Sequence, residues 1–220
     1  MSAPPVFLTC CTISHVSQAL LALRSARQFN PDFSYYMFVA DATQDALDQI
    51  RDILVAEFSW LTLFGVEDLN IFKDQYLRCF DYYNAFEVSN IAKYVGLAEA
   101  GARTGASKVV FSDSDTFYLN DLGSLLEVAD NPAVILTPHQ LSPTSEEVEH
   151  DHLLHGWLNS GFSIFDFAHD HTSRILDWLM ARVSKRGYLA TPYGLSGDQP
   201  WISGLPFVFG ESVGICRDPR

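Results

Sequence analysis

The chain has 220 residues, 48% hydrophobic and 13% aromatic, which suits one α/β domain with a sizeable core and excludes a disordered chain. Its 14 Lys and Arg against 27 Asp and Glu give a formal charge of −13, a surface that repels nucleic acid and anionic lipid. No apolar run approaches the length of a membrane span, and Met1 to Pro5 lacks the charged and apolar regions of a signal peptide. The expectation is a soluble, cytoplasmic protein with no nucleic-acid partner and no integral membrane segment.

Val6 to Cys11 is continuous, apolar and preceded by prolines, and reads as a buried first strand. Ser14 is placed to N-cap a helix with Val16, Leu20 and Leu23 on one face, and Asn30-Pro31-Asp32 breaks it. Ser34 to Ala40 reads as a second strand ending at Asp41. A second helix follows with Leu47, Ile50, Leu54 and Phe58 at helical spacing, and Trp60 to Val66 as a third strand. This β-α-β-α-β alternation predicts an α/β fold with a mostly parallel sheet and helices on both faces. Residues 67–83 carry no clear pattern. Asn84 to Arg103 is the longest helical pattern, with Ala85, Val88, Ala92 and Val95 as its buried stripe, ended by Gly101 and Gly105.

Lys108 to Ser112 reads as a central strand, followed by a short strand at Phe117 to Leu119 and a short helix at Gly123 to Val128. Ala133 to Thr137 reads as another strand. The polar stretch from there to Leu153, with His150, His152 and His155 near it, reads as a solvated mobile loop. It has no cysteine and no i, i+4 histidine pairing of the kind a zinc site uses. Asn159 to Phe165 is a further strand, with a glycine near its start that marks a bulge or a close backbone approach. A helix through Ile175, Leu179 and Val183 comes next, then a Gly-, Tyr- and Pro-rich loop from Gly187 to Gly197. Pro200 suits the first turn of a short helix. Phe207 to Phe209 and Val213 to Cys216 read as terminal strands. Cys10, Cys11, Cys79 and Cys216 show no CxxC spacing and read as free thiols.

The central strand ends in Ser112-Asp113-Ser114-Asp115, the one Asp-x-Asp of the chain. Ligands of open α/β sheets bind outside the carboxyl ends of the strands, so these carboxylates are placed to meet a ligand. Two carboxylates so close repel each other, and a hard cation relieves the repulsion; Mg²⁺ commonly takes one or two carboxylates and completes its shell with substrate phosphates. The stretch reads as a metal–diphosphate site, although Asp-x-Asp also occurs at solvated turns.

An ordered set of motifs resembles the nucleotide-sugar-dependent glycosyltransferases of GT-A fold, in particular the bacterial and glycogenin-like group. The set is Phe7-Leu8-Thr9, Phe38-Val39-Ala40-Asp41, the helix with Glu87, Asn90 and Lys93, Val109 to Asp115, Ile135 to His139, Asn159-Ser160-Gly161-Phe162 and Asp198-Gln199. The resemblance implies a GT-A (Rossmann-like) sheet, a UDP-sugar donor, a saccharide acceptor, Mn²⁺ or Mg²⁺, and a role in surface-polysaccharide synthesis. It implies that Thr9 and Asp41 hold base and ribose, that Lys93 lies near the donor phosphates or sugar, and that Asp113 faces ribose or sugar. Asp115 joins Asp113 at the metal, Asn159 and Gly161 form the floor under the sugar, and Asp198 and Gln199 flank the anomeric carbon as catalytic residues. The family's further metal-ligating histidine and acceptor-binding segment have no counterpart before Arg220, which leaves three expectations: a chain truncated at its C-terminus and associated with the inner membrane face through a further segment or partner, a metal held by other ligands, or an incomplete site without activity.

Other readings stay open on the residues alone. Lys93 fits a solvated helix surface, Asp41 the N-cap of the second helix, Asp198 the N-cap of the helix begun by Pro200, and His139 a loop. A catalytically incomplete nucleotide-sugar-binding protein fits the same motifs. A haloacid-dehalogenase-like phosphatase fits less well, because that family carries its Asp pair on the first strand.

Overall fold

The computed structural model describes residues 3–128 and 131–217, and its alternating pattern yields the expected layers. In chain order the elements are β1 (Val6–Cys11), α1 (Val16–Phe29), β2 (Ser34–Val39), α2 (Gln44–Leu54), β3 (Leu61–Gly65), α3 (Lys73–Cys79), α4 (Ala85–Thr104), β4 (Lys108–Asp113) and α5 (Gly123–Val128). They continue with β5 (Val134–Pro138), α6 (Glu146–His155), β6 (Leu158–Asp166), α7 (Thr172–Arg186), β7 (Leu189–Ala190), β8 (Leu195–Ser196), α8 (Gln199–Phe209) and β9 (Val213–Ile215). Seven strands form one sheet in the order β3-β2-β1-β4-β6-β5-β9, and β7 and β8 form a separate antiparallel pair. Only β6 runs against its neighbours in the large sheet, pairing antiparallel with both β4 and β5.

Alternation along the strands divides the core in two. Val6 and Leu8 of β1 and Phe38 of β2 pack with α4, α7 and α8, whereas Phe7, Met37 and Val39 pack with α1 and α2 on the other face. Helix α4 is apolar nearly all round, as its position between the sheet and α7 requires. A capping box starts it: the Asn84 side chain accepts from Glu87 N at 3.0 Å, and Glu87 Oε2 accepts from Asn84 N at 2.9 Å. The other Glu87 oxygen accepts from Leu189 N at 2.8 Å, tying the helix to the β7–β8 pair beside the functional cleft. Replacing Glu87 by Ala removes both links and costs about 1–2 kcal/mol by the usual worth of a cap.

Several sequence expectations need correction. Ser14 does not cap α1; a turn of 3-10 helix at Ile13–His15 precedes that helix, and the Ser14 hydroxyl bonds Thr12 and His15 instead. Thr43, not Asp41, caps α2, its side chain accepting from Ala46 N. Phe58 lies past the end of α2 but still packs in the core. Gly101 sits inside α4 against Phe167, and Gly105 ends the helix. Phe117 to Leu119 is not a strand: β1 and β6 already flank β4, and Phe117 and Leu119 project into solvent. Phe207 to Phe209 continue α8, with Ile202 and Leu205 facing inward and Phe207 exposed. The polar stretch read as a loop contains α6. Its Ser145 accepts from Val148 N, acidic residues fill the first turn and histidines the last, each end matched to the helix dipole. No disulfide links the four cysteines; Cys11, Cys79 and Cys216 are buried and Cys10 is partly so. No helix among the described residues is long and apolar enough to cross a membrane.

Candidate functional site

A cleft of about 780 Å³ opens at the carboxyl ends of β1 and β4. Its walls come from the end of β1 and the turn after it, one face of α4, Asp113 to Asp115, the start of β6, His139, and the N-terminus of α8. The reversal of β6 matters here. Because it is antiparallel, its first residues rather than its last lie at the edge where β4 ends, bringing Asn159 to Gly161 next to Asp113. Gly161 is required by this approach. A Cβ on it would stand 2.7 Å from Asp113 Oδ2 and 2.9 Å from Asn159 Oδ1. The Asn159 side chain in turn accepts from Gly161 N at 2.6 Å, fixing the floor of the cleft.

At the centre lies a buried ion pair. Lys93 Nζ is 3.0 Å from Asp198 Oδ2, with the two side chains 5% and 2% exposed. Tyr94 donates to the same oxygen at 2.5 Å, Ser160 Oγ donates to Asp198 Oδ1 at 3.2 Å, and Lys93 also donates to Ser160 Oγ at 2.9 Å. The ammonium lies 5.6 Å from the Phe111 ring centroid. Burial alone would push the Lys93 pKa down, but the carboxylates of Asp198 and then Asp113 outweigh it and hold the pKa above the ordinary lysine value. Asp113 is held above the usual carboxylate range by burial, with Asp198 and Asp115 adding to the shift and Lys93 opposing it. Burial likewise lifts the Cys10 thiol at the cleft wall, so it is no activated nucleophile.

The residues singled out in the sequence divide clearly. Lys93, Asp113, Asp115, Asn159, Asp198 and Gln199 all line the cleft, and Gly161 packs directly on Asp113. Lys93 is buried rather than solvated. Asp198 sits at the N-cap position of α8 but makes no capping bond; its carboxylate turns to Lys93, Tyr94 and Ser160. Thr9 is not brought to the cleft. It shares the face of Phe7 in β1, is fully buried, and is absent from the lining. The cleft wall there is Cys10 to Thr12, with Ser14 and His15 beyond. Asp41 also lies outside the lining, exposed, and it accepts from Ile13 N at 2.7 Å. It shapes the turn that carries Thr12 and Ser14.

Sequence reasoning missed Tyr94, Ser160 and the His139–Gln199 contact at 2.6 Å. Helical spacing contained the first, since Asn90, Lys93 and Tyr94 fall at i, i+3 and i+4 on one stripe of α4. The last is a contact between segments 60 residues apart and has no local signature.

Among the described residues, no group of three or more His, Cys, Asp or Glu side chains is arranged to hold a metal ion. The oxygen donors on offer are the two carboxylates of Asp113 and Asp115, a set that fits a hard divalent cation whose remaining positions go to phosphate and water. Residues 218–220, where the expected histidine segment would begin, lie outside the described residues.

No protein-family signature and no curated protein sequence matches this chain. Solved structures do. The glycosyltransferase GlyE of Streptococcus pneumoniae aligns at 17% identity with a TM-score of 0.54, over 96% of this chain and 45% of that one. Mouse xyloside xylosyltransferase 1 aligns at 12% identity and a TM-score of 0.58, over 97% and 85%. The galactosyltransferase LgtC, solved with donor and acceptor sugar analogues, aligns at 13% identity and a TM-score of 0.56, over 96% and 72%. The chain thus spans less than half the length of GlyE, and at these identities the likeness is one of fold. That fold, a largely parallel sheet with one reversed strand and a cleft at its carboxyl edge, is the GT-A glycosyltransferase fold.

Proposed function

We propose that the chain is a metal-dependent glycosyltransferase that moves a hexose from a nucleotide-diphosphate sugar, a UDP-sugar by preference, to a saccharide acceptor in the assembly of a surface polysaccharide. The observation that carries the reading is the joint placement of Asp113 and Asp115 with the buried Lys93–Asp198 pair in one cleft at the carboxyl edge of a GT-A sheet. Asp113 and Asp115 would hold Mn²⁺ or Mg²⁺ against the donor diphosphate. Bound there, the ion supplies Lewis-acid stabilisation of the departing nucleoside diphosphate.

The charge balance of the lining supports the metal. Among the described residues Lys93 is its one Lys or Arg against Asp113, Asp115 and Asp198, and it is already engaged by Asp198. Among those residues a diphosphate would therefore meet no unpaired side-chain ammonium or guanidinium in the cleft. In this reading Lys93 keeps the sugar side of the cleft neutral enough to admit the donor. Asp198, with donors on both oxygens, is a poor candidate to take the acceptor's proton and a good one to hold sugar hydroxyls in place. Gln199, partly exposed to the cleft, is the freer polar group beside the transferred sugar. Asn159 and Gly161 form the sugar floor, and Thr12, Ser14 and His15 take the nucleoside place first assigned to Thr9 and Asp41.

Calorimetric titration with UDP, GDP, UDP-glucose and UDP-galactose, with Mn²⁺ and then with excess chelator, tests this. The expected result is nucleotide binding that needs the metal and is abolished in Asp115→Ala; unchanged affinity in that variant would sink the reading. Metal-dependent binding with neither transfer nor hydrolysis of any donor would favour a catalytically incomplete nucleotide-sugar-binding protein.

A further inference from the structure

We infer that His139 is a positioning residue that presents the Gln199 carboxamide to the cleft in one fixed orientation; the inference rests on the glycosyl-transfer reading of that cleft. Three observations carry it. His139 Nε2 lies 2.6 Å from Gln199 Oε1, and both side chains line the cleft. A carbonyl oxygen only accepts, so this contact requires the proton on Nε2 of His139. The amide nitrogen of Gln199, for which the described residues show no partner, is then the end left free to donate.

The second observation is what holds the ring. His139 stacks on His152 with centroids 5.2 Å apart and planes 12° from parallel, and Trp157 closes against His152 at 5.5 Å. His152 is 8% exposed and its Nε2 has no hydrogen-bond partner, so α6 carries it into the core as a flat support rather than as a bonding group. The third concerns the backbone of Gln199. Gly156, at φ +110°, lets the end of α6 close on it: a Cβ there would stand 2.9 Å from the Gln199 carbonyl oxygen and 2.9 Å from Ser203 Oγ. Ser203 Oγ also accepts from Trp157 N and Leu158 N, at 3.1 and 3.2 Å. The Gln199 backbone is thus closely approached by the α6 junction, and its side chain is held by His139. A carboxamide that rotated freely would present oxygen and nitrogen in turn, and only one end can serve a given sugar hydroxyl.

Two measurements test this. Imidazole ¹⁵N shifts of the protein without ligand read the tautomer whether or not any donor turns over. The Nε2–H form is expected for His139, and the Nδ1–H form would overturn the inference. His139→Phe keeps a ring to stack on His152 and deletes the Nε2–H. Hydrolysis of UDP-glucose and UDP-galactose with Mn²⁺ should fall by about tenfold to a hundredfold in kcat with little change in KM. In a Gln199→Ala background the same change should cost nothing further, whereas additive losses, or wild-type kcat in His139→Phe, would refute the role. Wild-type protein that binds no nucleotide sugar would refute the transferase reading itself, a failure distinct from a wrong tautomer.

Discussion

Removing Lys93 is the perturbation with the largest expected effect on the fold. Lys93→Met keeps the aliphatic length of the side chain but leaves Asp198 buried without its counter-charge. The two side chains are 5% and 2% exposed, so solvent cannot take over the role of the ammonium. Breaking such a pair from one side costs roughly 3–5 kcal/mol, which for a chain of this size lowers Tm by roughly 6–20 °C. Tyr94 and Ser160 still donate to Asp198, which sets the expectation toward the lower end. Urea unfolding at pH 7 of wild type, Lys93→Met, Asp198→Asn and the double variant measures the coupling. Removing both charges leaves no orphan, so the double variant should be more stable than the sum of the two single losses by at least about 1 kcal/mol. Losses that simply add would refute the argument that the pair acts as a unit. The pH dependence has a definite sign. Lys93 binds its proton more tightly in the folded chain, so its contribution is complete below the ordinary lysine value of about 10.4 and is lost as pH rises through the raised folded value. Lys93→Met should flatten that alkaline limb.

Gly161→Ala should push Asp113 aside, because the new Cβ would sit 2.7 Å from its Oδ2; Mn²⁺-dependent UDP affinity should drop on the order of tenfold or more, and Tm should fall by the few degrees typical of about 1–3 kcal/mol of overpacking. Unchanged affinity would mean that the Asp113 position is not critical. Asp113→Asn should act oppositely on the two readouts. The folded pKa of Asp113 is raised, so its ionisation costs stability as pH climbs above the unfolded value of about 3.9; the variant should be more stable than wild type at pH 7 and lose metal-dependent nucleotide binding. Equal or lower stability in that variant would contradict the assignment.

The layers of the fold were legible because they rest on local periodicity. Short apolar runs mark β1 and β4, and the i, i+3, i+4 stripe marks α4. What failed was decided by partners the local pattern does not contain. Phe117 to Leu119 has the composition of a strand but follows β4, both of whose sides are already taken by β1 and β6. Phe207 to Phe209 reads as strand by composition and stays helical because α8 continues through it. Helix α6 was hidden by its charge, although Ser145 followed by Glu146 and Glu147 is an N-terminal signal and the histidines of its last turn suit a C-terminus. At the site, the carboxylates were legible from their position at a strand end. Lys93 was marked only through the family resemblance, and its burial could not be read from a single basic residue on a helix. Thr9 lies in β1 and Asp41 in the turn after β2, and neither is in the cleft lining. Being near the end of a strand does not say which face a side chain takes, and in β1 the alternation sends Thr9 away from the cleft.

The reversed strand β6 also bears on how the two halves of the chain are joined. The parallel part of the sheet, from β3 to β4, is built from the first half of the chain, whereas the cleft floor arrives with β6 and its lid of polar groups with α8. The bonds that close the cleft join residues 67 positions apart at Lys93–Ser160 and 104 apart at Tyr94–Asp198, each tying the first half of the chain to the second. The cleft is a seam between those two halves. A ligand seated across it would fasten that seam and slow amide exchange in β6 and α8 more than in β2 or β3.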